Sequence, residues 1–298
     1  MSATTDRPTD ILANGRFANL TVELRADRIA VISFRRLDKL NGLTWPMRRD
    51  LIEVITQLSY DNRSDVVIIT GGEHFSAGDA FGQSNEDRNW EDAVSQRLDR
   101  HRHDGLSLYS MLRTLNQNVP RSMKALDKIT IAAIDGFCIQ SGLSLALACD
   151  FRIATPRAKL GSATLRMGYL PDEGGHHLLV RTIGVARTKD FLLRKRIVDG
   201  NQALALGLVH QLAEPESLFD AALALAQELA EGPQVAMRLL KHAIDAVPDL
   251  TFEQAGMNIA LRTAISDHHP DAREGAAAFV AKPRRKPHFN VDRGDGPH

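Results

Sequence analysis

Cysteine is nearly absent: the 298 residues contain two, Cys138 and Cys149. Both sit in apolar stretches of one segment, with no metal-ligand spacing, and two are too few for a disulfide framework. They read as buried small hydrophobes, and a reducing, cytoplasmic setting fits. Net charge is also absent, with Lys+Arg and Asp+Glu both 37. That balance favours neither nucleic acid nor an anionic membrane as a general partner, and it leaves self-association unopposed. No segment approaches the ~18 uninterrupted apolar residues of a membrane span. Met1 to Arg16 is polar and lacks the apolar stretch of a signal peptide, so none is expected. What is present is ordinary: 43% apolar and 25% charged residues, enough for one large domain or a domain with an appendage.

Residues 1–17 read as a loose, disordered tail by composition. Leu20 to Leu24 alternates and Ile29 to Phe34 is a β-rich apolar run. Together they predict an antiparallel hairpin through Ala26-Asp27. Thr44 can cap a helix with Pro46 in its first turn, running to about Asp61. Val66 to Thr70 reads as a short buried strand. Residues 82–104 are polar, with His101 and His103 among them, and suggest a mobile lid. A helix is expected over about 106–122, then strands at Ile129–Ile134 and Phe151–Ala154 either side of a buried helix, Ser141 to Ala148. Helices are expected at about 174–182, 186–194, 201–207, 215–231, 233–246, 251–267 and 270–281. The order predicts an α/β core over 18–210, with 82–125 as a variable insertion. A helical region over 211–289 and a disordered tail over 290–298 complete the chain.

Two places combine a strand end, glycine and a helix start. They are His74 to Ala80 after the third strand, and Asp135 to Gly142 after the fourth. Small residues let backbone approach a ligand, and a helix N-terminus leaves N–H groups unpaired. Two such turns could converge on one oxygen as an oxyanion hole, or the glycines could serve packing alone.

The motifs at these turns carry a resemblance. Phe75-Ser76-Ala77-Gly78 resembles the first oxyanion motif of the crotonase (enoyl-CoA hydratase/isomerase) family. Ala133-Ile134-Asp135-Gly136 with Gly142 to Asp150 resembles the second. Leu37 to Leu43 resembles the family's early CoA-contacting turn, Leu170-Pro171-Asp172-Glu173-Gly174-Gly175 its Pro-x-x-Gly-Gly helix start, and Arg273-Glu274-Gly275 with Phe279 and Lys282 its C-terminal helix. The similarity runs from about residue 20 to 289. It implies an α/β crotonase (ClpP-like) fold of repeated ββα units with a C-terminal helical trimerisation region, as a homotrimer or a hexamer built as a dimer of trimers. It implies backbone oxyanion donors at Asp79 and Ser141, and coenzyme A, as part of an acyl-CoA substrate, held around Lys39, Leu40, Ala77 and Gly78. It implies no permanently bound cofactor and no metal. Lys282 and Arg285 are candidates for the CoA phosphates; with Arg284 and Lys286 they could equally form a solvated basic tail.

The resemblance also exposes a departure. Hydratases of the family use two glutamates, and the corresponding positions here are Ser144 and Thr164. Neither can act as a carboxylate base, which puts simple water addition in doubt. Asp172 is the preferred replacement, as an isomerase-like proton shuttle facing the acyl chain; a helix-capping role is its bland alternative. Glu173 is a weaker candidate, and His176 and His177 read as packed or surface residues. Ser144 lacks a positioned base for nucleophilic attack, and Asp150 reads as structural. Three activities stay open: enoyl-CoA isomerisation, divergent hydration or ring-opening or thioester hydrolysis, and a non-catalytic CoA-binding or RNA-binding scaffold. The lack of a long basic stripe argues against RNA.

Overall fold

The computed structural model describes Leu12, residues 17–80 and residues 105–289. Apart from Leu12 and Phe17, both expected tails lie outside the described residues, as does the whole expected lid at 82–104 with His101 and His103.

The hairpin forms as expected, from β1 (Leu20–Leu24) and β2 (Ile29–Phe34), paired antiparallel. β3 (Val66–Thr70), β4 (Ile129–Ile134), β6 (Phe151–Ala154) and β9 (Gln211–Leu212) then add in parallel. The sheet order is β1-β2-β3-β4-β6-β9. β5 (Phe137–Ile139), β7 (Lys159–Gly161) and β8 (Ile197–Asp199) form a second, three-stranded sheet. β9 closes the edge of the main sheet, parallel to β6.

Alternation along the central strands feeds two apolar layers. Ala30, Ile32, Val67, Ile69, Ala132 and Ile134 face one cluster. It includes Met47, Leu51 and Leu58 of α1 (Trp45–Tyr60) and Leu143 and Leu147 of a short buried helix. Ile29, Val31, Val66, Ile68, Ile131 and Ala133 face the other, against Leu218, Ala222 and Ala226 of a C-terminal helix. α1 starts as read: the Thr44 hydroxyl accepts from the Met47 N–H at 3.3 Å, with Pro46 in the first turn.

The expected single helix over 106–122 is instead three pieces. α2 (Gly105–Met111) runs into a π-helical turn at Leu112–Asn116, and α3 (Asn118–Ala125) follows. α4 (Ser141–Ala148) has the bounds read from the sequence, with every residue buried. The helices expected at 174–182 and 186–194 both form, as the two halves of α5 (Gly175–Leu193), separated by the non-helical backbone of Gly184, with φ 78° and ψ 164°. α6 (Gly200–Leu206), α7 (Leu218–Ala230), α8 (Gln234–Ala246), α9 (Phe252–Asp267) and α10 (Pro270–Val280) complete the chain. No helix among the described residues is long and apolar enough to cross a membrane.

Candidate functional site

The two glycine turns lie against each other. The Ser76 N–H donates to Phe137 O at 2.7 Å, and the Ile139 N–H donates back to Ser76 O at 2.9 Å. Gly142 makes the close approach possible: a Cβ there would stand 2.8 Å from Ser76 Cβ and 2.9 Å from Ser76 O. On its other side the first turn is sewn to the Leu37–Leu43 loop. The Ala77 N–H donates to Leu40 O at 2.9 Å, Leu43 N–H to Gly78 O at 2.7 Å, and Ala80 N–H to Leu43 O at 3.2 Å. Asn41 pins this loop, its side-chain amide donating to Gly71 O at 2.8 Å and His74 O at 2.6 Å. Lys39, Leu40, Ala77 and Gly78 are therefore neighbours.

This lacing decides where two amides point. Gly78 and Ala80 bond to Leu43, so strand alternation turns the Asp79 N–H away from Leu43. Ser141 is the first residue of α4 and has no intrahelical acceptor for its N–H. Neither amide has a hydrogen-bond acceptor among the described residues.

The side chains of the same two residues also meet. The Asp79 carboxylate accepts from the Ser141 hydroxyl at 3.0 Å and from the Arg48 guanidinium. Arg48 further donates to Leu43 O at 2.7 Å and to Ser141 Oγ at 3.3 Å. Its side chain, 2% exposed, is a cation on the core-facing stripe of α1 that holds Leu51, Ile55 and Leu58. That lone charge at i, i+3, i+7 spacing was the available signal for a residue the sequence reading passed over.

The segment before α5 supplies two more carboxyl groups beside this cluster. Asp172 does not cap the helix: the N-cap is Gly174, with no side-chain cap. The Asp172 carbonyl instead accepts from the Gln117 side chain at 2.9 Å. Burial raises the Asp172 carboxyl above its ordinary range, against a lowering hydrogen bond with Glu173; Asp79 raises it further and Arg48 lowers it. Glu173 is 2% exposed. Its Oε2 accepts from Gln140 Nε2 at 2.8 Å, while its buried Oε1 has no donor among the described residues. Burial, then the charges of Asp79 and Asp172, push its carboxyl well above the usual range, with Arg48 opposing.

Gln140 is fixed in turn. Its Oε1 accepts from the Ser162 hydroxyl and, at 3.4 Å, from Thr164 Oγ1. Its backbone has φ 48°, uncommon for a residue with a side chain. Thr164 is thus part of a buried polar chain. Ser144 is packed against the start of α5, where a Cβ on Gly175 would lie 2.2 Å from its Oγ. His176 and His177 are exposed. Asp150 is structural: it accepts from Thr130 N–H and Oγ1, each at 2.8 Å, and pairs with Lys241 at 2.9 Å.

Lys282 and Arg285 are exposed beyond α10. The Arg285 guanidinium is committed to Glu274, at 2.5 and 2.8 Å. Both cysteines are fully buried, and burial raises their thiols, that of Cys149 to about 12. Among the described residues no cluster of three His, Cys, Asp or Glu side chains could hold a metal ion.

Comparison with known proteins gives the same frame. The profile of the enoyl-CoA hydratase/isomerase family matches residues 25–292. The crotonyl-CoA hydratase of Syntrophomonas wolfei is 28% identical over 92% of this chain and 98% of its own. The short-chain-enoyl-CoA hydratase of Clostridium acetobutylicum is 27% identical over 86% of this chain and 92% of its own. The crystal structure of an enoyl-CoA hydratase from Bacillus anthracis superposes with a TM-score of 0.78 at 28% identity, covering 92% of this chain and all of that one. The chain belongs to the enoyl-CoA hydratase/isomerase family and has its crotonase fold.

Proposed function

We propose that this protein acts on acyl-CoA thioesters, holding the thioester oxygen on the amide N–H groups of Asp79 and Ser141, and that Asp172 moves a proton along the acyl chain in an isomerase-like reaction. The observation that carries this reading is the mutual lacing of the two turns beside a pair of raised carboxyl groups, with neither amide given an acceptor among the described residues. When the α-proton leaves, charge develops on the thioester oxygen. Fixed N–H dipoles stabilise that charge without reorganising, and one such donor is worth about 3 kcal/mol. The CoA portion meets the backbone of Lys39, Leu40, Ala77 and Gly78, with Lys282 as a phosphate contact; Arg285 must first leave Glu274 to join it.

Asp172 fits the base role because it caps no helix and because burial raises its affinity for a proton above that of an ordinary carboxylate. Hydration is the second reading, favoured by the names of the relatives; there Glu173 Oε1 would hold the water. A panel of 2-enoyl-, 3-enoyl- and 3-ketoacyl-CoA, followed by mass and absorbance, separates the outcomes. Altered absorbance at constant mass supports isomerisation, a gain of one water supports hydration, and free CoA supports hydrolysis. No turnover on any of them removes the reading.

Self-association belongs to the same proposal. α9 has no buried residue, and Phe252, Met257, Leu261 and Ile265 on it are all exposed. A helix this apolar on its surface needs a partner, and a second copy in a trimer or a dimer of trimers supplies one.

A further inference from the structure

We propose that Glu173 is a second proton carrier at this site, giving the acyl γ-carbon its proton while Asp172 takes one from the α-carbon, and that Gln140 positions it through Ser162 and Thr164. This rests on the isomerase-like reading above. Its own support is geometric. A buried carboxyl group has one oxygen fixed by Gln140 at 2.8 Å and the other with no donor among the described residues. The Gln140 amide is oriented because Ser162 and Thr164 both direct hydroxyls at its Oε1. An oriented amide fixes Glu173 Oε2 and leaves Oε1 without a donor among the described residues.

Burial first, and then charge, raise that group's affinity for a proton. The ionisable groups acting on Glu173 are Arg48 from α1, Asp79 from the turn after β3, and Asp172 from its own segment. One guanidinium faces three carboxyl groups. With Asp79 matched by Arg48, Asp172 ionised and Glu173 protonated, the site carries one negative charge. Moving the α-proton to Asp172 transfers that charge to the enolate and adds none.

The steps balance. The α C–H bond breaks, its proton joins the Asp172 carboxylate, and the electron pair delocalises onto the thioester oxygen. The dienolate then forms a γ C–H bond with the Glu173 proton, and the double bond comes to lie between the α- and β-carbons. The proton on Asp172 passes to the Glu173 carboxylate, restoring both. No net proton is gained or lost.

The test is 3-hexenoyl-CoA in D2O, with double-bond migration and deuterium uptake at the α-carbon measured separately. In Glu173→Gln, migration should fall about 100-fold or more, while α-deuterium uptake stays measurable. Thr164→Val should lower kcat several-fold at constant KM, and Thr164→Ser should restore it. CoA affinity serves as the folding check. Wild-type migration in Glu173→Gln overturns the proposal and leaves the isomerase reading standing. Equal loss of migration and uptake also overturns it, because Glu173 would then be the base. A wild-type protein that neither migrates the bond nor takes up deuterium removes the underlying reading and this proposal with it.

Discussion

The Ser141 hydroxyl donates to the Asp79 carboxylate across 3.0 Å, so the two residues whose amides have no acceptor among the described residues are also tied by their side chains. Arg48 bonds to both and completes a closed clasp. Each of the two turns is therefore held from two directions, by main-chain lacing outside and by this clasp inside.

Arg48→Met tests the clasp. It leaves Asp79 beside two further carboxyl groups with no cation. Removing one partner of a buried pair costs about 3–5 kcal/mol, and urea unfolding should register a loss of that order. Arg48→Lys should recover only part, since an ammonium cannot reach Leu43 O, Asp79 and Ser141 with the geometry of a planar guanidinium.

Asp172→Asn should lower kcat on 3-enoyl-CoA by about 10²–10⁴-fold with CoA affinity unchanged, as measured by calorimetry. In the unmodified protein kcat/KM should rise with pH through the raised Asp172 range, because the base must be ionised. Full activity in the variant would take Asp172 out of the mechanism.

Glu173 should make stability depend on pH. Its folded carboxyl binds a proton more tightly than the unfolded one, with its ordinary value of 4.5. The benefit is complete below that value and is lost as pH rises through the folded range. Glu173→Gln carries no such group, so its Tm should exceed the unmodified protein's by a margin that widens with pH, about 2–4 °C per kcal/mol. A constant gap across pH 4–8 would contradict the assignment.

Gly142→Ala drives a methyl group into Ser76 and should part the two turns. Overpacking of this kind costs about 1–3 kcal/mol of stability, and misaligning one N–H donor costs about 10²–10³ in kcat. Gly256→Ala is the matched control, as nothing stands within 4 Å of a Cβ there.

Leu261→Glu with Ile265→Glu places charge on the exposed apolar face of α9. Light scattering after size exclusion should show the unmodified protein as a trimer or hexamer and the variant as smaller species.

Much of the fold was legible because its signals were long or chemically uniform. α4 was read with its observed bounds since Ser141 to Ala148 is small and apolar throughout, and Thr44-Trp45-Pro46 announced α1. β7 and β8 escaped notice because each has three residues, and Lys159-Leu160-Gly161 holds only one large apolar side chain. The break near Gly184 was legible too, and the residue's non-helical φ of 78° and ψ of 164° separate the two halves of α5. At the site, the nearness of the four loops came from motif resemblance; spacing alone would not have joined Leu40 to Ala77. The weight placed on Asp172 over Glu173 reflected position in a motif. Burial, the Gln140 contact and the clasp with Arg48 depend on packing across elements distant in sequence, which no local pattern records.

Cys138 and Cys149 are both sealed in the core with their protons held tightly. Thiol reagents should therefore find nothing to modify while the chain is folded. Label uptake then becomes a clock for opening of the interior, and one cysteine introduced on the surface would be a unique attachment point for a dye or spin probe.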